Sequence, residues 1–182
     1  MRKQRLYLVH TQARYGENCY IPLSVGVLWA YARTFSEIVA AYEMCGFLYL
    51  KESIDQAIAK LENPDLIGIS HYIWNAKWNK KFTRAVKEKW PKCKIIVGGV
   101  QVPDESPRIL EENPDFDFAI YGEGEGAFVD FLVSKDCNLV GSLIWRSPLG
   151  IVVNPRRPFT ELDKLRSPYL DVVFDDLWPK EP

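Results

Sequence analysis

Short apolar runs alternate with amphipathic stretches along most of the chain. The runs at residues 5–10, 66–70, 94–97 and 116–121 are rich in β-branched or aromatic side chains and are bounded by polar, Gly or Pro residues. Continuous runs of this kind are typical of parallel strands that are buried on both faces of a sheet. Residues 36–42 are predicted as a further strand, and the Gly-interrupted run at 44–50 remains unassigned.

The stretches between these runs have helical spacing. In residues 76–90 the side chains of Trp78, Phe82 and Val86 fall on one stripe, and Pro22 suits the first position of a helix. Helices are predicted at residues 22–32, 53–61, 76–90, 104–112 and 127–133. This alternation predicts an α/β protein with a flavodoxin-like (Rossmann-like), doubly wound five-stranded parallel sheet of order 2-1-3-4-5. Residues 139–145 and 151–153 predict a C-terminal β-hairpin that extends one edge.

The last part of the chain has a different composition. Residues 155–182 contain five prolines and no sustained periodicity, which indicates a Pro-rich linker after an α/β domain at residues 1–154. The linker is nevertheless too apolar for a free tail. We expect Leu162, Leu165 and Tyr169 to pack back on the domain and residues 173–178 to form an interface.

Composition narrows the function classes. The chain has 182 residues, 47% of them hydrophobic, and a net charge of −1, which argues against a nucleic-acid platform. No apolar run approaches the length of a membrane span. The four cysteines are far apart and form no paired metal spacing, so we expect reduced thiols and a cytoplasmic location.

Candidate ligand-binding residues lie at the ends of the predicted strands at residues 66–70 and 94–97. In open parallel sheets, ligands bind outside the carboxyl ends of the strands. One strand ends at Ser70 and leads to Asn75, and the next ends on Gly98 and Gly99, which allow close backbone approach. Alone, the glycine pair is equally consistent with a simple turn.

The glycine-rich stretch at residues 122–126 has two further interpretations. A glycine loop can cradle a phosphate, but Glu123 and Glu125 would repel an anion. The two glutamates could also suggest acid–base catalysis, but no second constellation supports it, and the two histidines do not complete a nucleophile–His–acid set. We therefore predict no catalytic residues and no metal ligands.

Five segments together resemble a known family. They are I-P-L-S-V-G at 21–26, the stretch at 64–75, I-V-G-G at 96–99, Y-G-E-G-E at 121–125 and S-P-Y-L at 167–170. In order and spacing the chain resembles, over nearly its whole length, the N-terminal cobalamin (vitamin B12)-binding domain of cobalamin-dependent radical SAM enzymes. Members of the family place a Ser at the end of the third strand and a Gly-Gly pair after the fourth.

The resemblance implies a set of cobalamin-binding residues. A nucleotide tail inserted at the sheet needs a hydroxyl partner and backbone without a Cβ, and a corrin needs a broad apolar surface. The implied residues are Pro22, Leu23, Ser70, Tyr72, Ile73, Trp74, Asn75, Gly98, Gly99, Gln101, Gly122, Glu123 and Gly124.

Two departures qualify this resemblance. The Asp-x-His-x-x-Gly motif of binders that place a histidine on cobalt is absent, so we expect base-off cobalamin without a protein histidine ligand; His10 as an axial ligand is the less favoured option. The three closely spaced cysteines of a radical SAM cluster are also absent. The iron–sulfur cluster and S-adenosylmethionine are therefore expected only in a partner domain, which S-P-Y-L introduces in relatives.

The sequence thus predicts a cobalamin-binding module that presents the corrin for methyl transfer or related radical chemistry. A radical SAM catalytic domain, in cis or in trans, is the implied partner, and neither nucleic acid nor membrane is expected. Whether the chain belongs to an enzyme stays open. The alternative is a flavodoxin-like interaction or regulatory domain that binds no corrin. A nucleotide-binding Rossmann enzyme is disfavoured because no Gly-x-Gly-x-x-Gly follows the first strand.

Overall fold

The protein is built around one seven-stranded sheet. The computed structural model describes residues 2–12 and 20–177. The strands are β1 (Gln4–Gln12), β2 (Tyr42–Leu50), β3 (Leu66–Ser70), β4 (Lys94–Gly98), β5 (Phe118–Ile120), β6 (Leu143–Ser147) and β7 (Gly150–Val153). The helices are α1 (Leu23–Ala32), α2 (Ser36–Ala41), α3 (Ile54–Ala59), α4 (Ala76–Lys89), α5 (Arg108–Glu111) and α6 (Glu125–Val133).

The strand order is β2-β1-β3-β4-β5-β6-β7. The pairs among β2, β1, β3, β4 and β5 are parallel, whereas β6 pairs antiparallel with β5 and β7 antiparallel with β6. The predicted order 2-1-3-4-5 with an appended hairpin is therefore confirmed. β3 lies inside the sheet and all five of its residues are buried, as its unbroken apolar run predicts.

Each face of the sheet carries its own hydrophobic core. Alternate side chains of β1 divide between the two cores: Leu8 packs on one face and Val9 on the other. One face is covered by α1, α2 and α6, which bury Val25, Ile38 and Phe128 against it. The other face is covered by α3, α4 and α5. The sheet is therefore doubly wound.

The predicted strand at residues 36–42 is wrong. Residues 36–41 form helix α2, and the strand is β2, which includes the run that the sequence pattern left unassigned. Ser36 and the two alanines at 40 and 41 suit a helix, whereas Gly46 lies at a register shift where Leu6 pairs with Met44 but Tyr7 pairs with Gly46. One extra residue in β2 forms a bulge, which a glycine in a strand accommodates.

Other differences concern element boundaries. The predicted helix at 104–112 is limited to α5, with Pro107 as its N-cap. Of the segment predicted as the first hairpin strand, only residues from 143 onwards form β6, and Cys137–Leu139 is a 3-10 turn. Most of the segment between β1 and α1, residues 13–19, lies outside the described residues.

The C-terminal segment packs on the domain chiefly through Phe174, a residue of the stretch that we expected to form an interface, rather than through Leu162 or Tyr169. Leu162 is 81% exposed and Tyr169 is about half exposed, whereas Phe174 is fully buried. Phe174 contacts Gly26 of α1, where any Cβ would overlap its ring, and it packs edge-to-face on Phe47 of β2. Leu165 is partly buried as predicted, and Trp178 lies outside the described residues.

Candidate functional site

A cavity of about 490 Å³ opens at the carboxyl ends of the central strands. It lies between the sheet and helices α1 and α6, and its volume is typical of small-molecule sites. Most of its surface is apolar, including side chains of Val25, Leu28, Ile96 and Phe128. The residues that line it are His10, Gln12, Leu23, Ser24, Val25, Val27, Leu28, Gly68, Ile69, Ser70, Tyr72, Ile96, Val97, Gly98, Gly99, Ile120, Gly122, Gly124, Glu125 and Phe128.

Ser70 provides an unpaired polar group in this cavity. It is the last residue of β3 and is 6% exposed, and its Oγ is buried without a hydrogen-bond partner. A buried hydroxyl of this kind is costly unless something satisfies it. Ser70 therefore marks a place where a bound ligand can form a hydrogen bond.

Gly98 and Gly99 occupy different environments. A Cβ built on Gly98 would meet only the Ile120 carbonyl oxygen, at 3.7 Å, so the space beside Gly98 is otherwise open. Gly99 has φ +110°, and its Cβ would lie 3.0 Å from the carbonyl oxygen of His71. Gly98 thus opens onto the cavity, whereas Gly99 is a glycine because of its backbone conformation and the adjacent chain.

The turn after β3 is fixed by Asn75. This residue is fully buried; its Oδ1 accepts a hydrogen bond from the Tyr72 amide at 2.8 Å, and its Nδ2 donates to the Ser70 carbonyl at 3.0 Å. Tyr72 stacks on Trp74 with ring centroids 4.5 Å apart, and both Ile73 and Trp74 are exposed. Asn75 therefore positions an apolar, aromatic surface beside the cavity mouth.

His10 lies two residues before the end of β1, and both of its ring nitrogens have hydrogen-bond partners. Its Nδ1 is 2.6 Å from Ser24 Oγ on α1, and its Nε2 is 2.7 Å from Gln12 Nε2. The ring also contacts Tyr72, with centroids 5.3 Å apart. Burial lowers the pKa of His10, which favours the neutral imidazole.

The loop after β5 is fastened by the C-terminal segment. Glu123 accepts a hydrogen bond from the Thr160 amide at 2.9 Å, and Arg156 forms an ion pair with Asp104 at 2.6 Å in the loop after β4. A Cβ on Gly122 would lie 2.7 Å from the Arg156 guanidinium. Gly122 therefore also serves the packing of Arg156, in addition to lining the cavity.

The structure brings together about half of the residues that the sequence singles out. Leu23, Ser70, Tyr72, Gly98, Gly99, Gly122 and Gly124 line the cavity, whereas Pro22, Ile73, Trp74, Asn75, Gln101 and Glu123 lie beside it or in its supporting turns. Sequence reasoning missed Ser24, Gln12 and Gly68. Gly68 had a signal, because a glycine inside a buried strand often marks close approach and residues 68 and 70 share one face of β3.

Two features are absent from residues 2–12 and 20–177, the part of the chain that the structure describes. That part of the chain contains no group of three His, Cys, Asp or Glu side chains that could hold a metal ion. Over the same residues, no helix combines the length and the apolar character needed to cross a membrane.

The fold and the cavity together define a class of protein. A doubly wound sheet with a mostly apolar cavity at the carboxyl ends of its strands is an architecture of cofactor-binding α/β domains. The B12 binding domain model matches residues 17–132, and the chain belongs to this family.

Two curated relatives extend the comparison. The chain is 31% identical over 162 residues to the cobalamin-dependent radical SAM methyltransferase TokK of Streptomyces tokunonensis. It is 30% identical over 164 residues to a 2-(S-pantetheinyl)-carbapenam-3-carboxylate methyltransferase of Streptantibioticus cattleyicolor. Each alignment covers 86% of this chain, which spans only 24% of the length of either relative.

A solved structure has the same fold. The apo form of OxsB, a cobalamin-dependent S-adenosylmethionine radical enzyme, superposes with a TM-score of 0.68 at 19% identity. The match covers 94% of this chain and 24% of that one.

Proposed function

We propose that this chain is the cobalamin-binding module of a radical SAM system and presents the corrin to a radical SAM barrel, in cis or in trans. Family membership supports the cofactor class. The observation that carries the proposal for this chain is the buried, unpaired Ser70 hydroxyl in the cavity beside Gly98. We call this cavity the slot. These residues fit cobalamin because its nucleotide tail offers hydrogen-bond acceptors and is narrow enough for such a slot.

The corrin and the tail are assigned to different surfaces. The slot suits the nucleotide tail, with Leu23, Ser70 and Gly98 against it. The macrocycle is too broad for the slot, and we assign it to the exposed apolar surface of Tyr72, Ile73 and Trp74. The remaining residues border this region or support it: Pro22, Asn75, Gly99, Gln101, Gly122, Glu123 and Gly124.

The chemistry belongs to the cofactor and to a partner domain. When bound, cobalamin supplies methyl transfer or related radical chemistry, and the residues of this chain bind and orient it. We place the iron–sulfur cluster and S-adenosylmethionine in the partner, because the four cysteines of this sequence are widely spaced. The length of the relatives supports such a partner. We further propose that residues 155–182 lead towards it and that the location is cytoplasmic.

We also propose that the cofactor is bound base-off with no protein histidine on cobalt. Both ring nitrogens of His10 already have protein partners, which supports this. The cob(II)alamin EPR spectrum of the loaded protein should therefore lack superhyperfine splitting from a histidine nitrogen. Splitting that disappears in His10→Ala would contradict the proposal.

Retention of hydroxocobalamin tests the proposed function directly. The protein is mixed with the cofactor and desalted, and its visible spectrum is recorded. Retention near one equivalent with a shifted spectrum is expected. Loss of all colour on desalting, together with no detectable binding in equilibrium dialysis, would favour the interaction or regulatory domain instead.

A further inference from the structure

Three polar side chains form a chain of hydrogen bonds along one wall of the cavity. Gln12 Nε2 lies 2.7 Å from His10 Nε2, and His10 Nδ1 lies 2.6 Å from Ser24 Oγ. All three residues line the cavity, and His10 is 5% exposed. Around them the wall is formed by apolar side chains such as Val27 and Leu28.

The direction of these hydrogen bonds determines what Ser24 can offer. The Gln12 amide nitrogen can only donate, so His10 Nε2 is the acceptor. A neutral imidazole then carries its proton on Nδ1 and donates it to Ser24 Oγ. Ser24 has therefore used an acceptor position, and its own hydroxyl proton remains available to the cavity.

We propose, resting on the cobalamin-binding function above, that Ser24 donates a hydrogen bond to an acceptor atom of the nucleotide tail and that His10 and Gln12 orient it. Ser24 is a binding residue, and His10 and Gln12 are positioning residues. Together with Ser70 on β3, Ser24 on α1 provides a second hydroxyl in the same slot. An apolar slot with two such hydroxyl groups favours a ligand with matching polar atoms, because an unmatched buried hydroxyl is costly.

The tail, rather than the corrin, is the expected partner of Ser24. Ser24 lines the slot together with Gly68 of β3 and Ile96 of β4. This part of the slot lies between the sheet and helices α1 and α6. The exposed surface of Ile73 and Trp74 is separate from these positions and does not line the cavity. A ligand without a nucleotide tail should therefore be insensitive to Ser24.

Two ligands and a matched pair of variants test this assignment. Dissociation constants are measured by equilibrium dialysis for aquacobalamin and for diaquacobinamide, which lacks the nucleotide tail. Ser24→Ala should weaken cobalamin binding roughly three- to tenfold and leave cobinamide binding unchanged, as expected for one neutral hydrogen bond. Ser24→Thr, which keeps the hydroxyl, should restore most of the affinity. Ser36→Ala, the same change at the exposed first residue of helix α2, is the control.

The positioning role of His10 is tested by a double-mutant cycle. His10→Leu should weaken cobalamin binding by a similar factor and leave cobinamide binding unchanged. The double variant His10→Leu with Ser24→Ala should bind cobalamin no more weakly than either single variant, because both substitutions remove the same interaction. Thermal unfolding of each variant shows whether the fold is retained. A purely structural effect of His10→Leu would weaken both ligands and add to the effect of Ser24→Ala.

Other outcomes overturn the inference in distinguishable ways. Cobalamin affinity that is unchanged in Ser24→Ala would show that the hydroxyl proton is consumed by His10, while the cobalamin-binding function would stand. Equal losses for both ligands would assign Ser24 to the corrin. A wild-type protein that binds neither ligand would refute the proposed function itself, and this inference with it.

Discussion

At the scale of single residues, the Gly98-Gly99 pair shows how neighbouring glycines can serve different purposes. Gly98 opens onto the cavity, and a side chain there meets no protein atom closer than 3.7 Å. Gly99 has a positive φ and abuts the His71 backbone, so any side chain at 99 strains the loop before a ligand is considered. Position 98 is therefore the informative one for ligand binding.

Gly98→Val should abolish or greatly weaken cobalamin binding with little effect on folding. The branched side chain would occupy space in the slot, whereas its β-branched shape suits the end of a strand. We expect an at least tenfold rise in the dissociation constant measured by equilibrium dialysis. Unfolding in urea should remain close to wild type. Unchanged affinity would show that the ligand does not approach Gly98.

The pH dependence of stability should depend on His71. Burial is the main reason that the pKa of His71 is lowered to about 4, and the positive charge of Lys80 contributes to the same shift. The folded state thus favours the neutral ring, whereas the unfolded chain takes up the proton near pH 6.5. This difference in pKa stabilises the folded state, and the stabilisation is complete above about pH 6.5. As the pH falls towards 4, the free energy of unfolding decreases by up to about 3 kcal/mol.

Urea unfolding at several pH values between 7 and 4.5 measures this effect. The free energy of unfolding should decrease across that range in the wild-type protein and decrease less in His71→Gln. His10, whose pKa is also lowered by burial, contributes in the same direction. A variant with an unchanged slope would show that His71 is not the group responsible.

At the scale of secondary-structure elements, the C-terminal segment is fastened at several points to the helices and loops around the cavity. Arg157 pairs with Asp130 of α6 at 2.6 Å, and Arg33, the C-cap residue of α1, donates to the Asp171 carbonyl at 2.5 Å. Phe174 occupies the notch at Gly26. Since α1 also carries Ser24, the segment supports a wall of the cavity.

Phe174→Ala should release residues 166–177 from α1. Truncation of a buried aromatic ring removes about 3–5 kcal/mol of packing, which is large for a segment held otherwise by a few polar contacts. Hydrogen exchange of amides in that segment should accelerate markedly, while β3 amides stay protected. Leu170→Ala, at a position 86% exposed, is the control and should leave exchange unchanged. Equal protection in both variants would show that Phe174 does not anchor the segment.

At the scale of the whole molecule, ligand binding and folding should be coupled. The slot is formed jointly by β1, β3, β4, β5, α1 and α6, so a ligand that requires it binds only the folded chain. Cobalamin at a free concentration 100-fold above its dissociation constant should therefore raise the free energy of unfolding by about 2.7 kcal/mol. Urea unfolding with and without cofactor measures the difference. Gly98→Val should show no such increase, and an equal increase in that variant would indicate binding elsewhere.

Much of the fold could be predicted from local sequence patterns. Local patterns within single segments predicted the buried strand β3, from its unbroken apolar run, and the helix α4, from its apolar stripe. The alternation of strands and helices then predicted the order of the parallel strands. The same rule placed Ser70 and Gly98 at one edge of the sheet. Residues 36–50 were predicted less well, because the helix is short and the strand contains a bulge at Gly46 that breaks its periodicity.

The sequence by itself determined the class of fold, the edge of the sheet where the cavity lies and the family resemblance, since these follow from the order of the strands and the spacing of the motifs along the chain. Tertiary structure decided which side chains meet there. The contacts of Ser24 with His10, Arg156 with Asp104 and Phe174 with Gly26 join residues far apart in sequence or on different elements. No local period encodes such contacts, because they depend on how helices, loops and the C-terminal segment pack around the finished sheet.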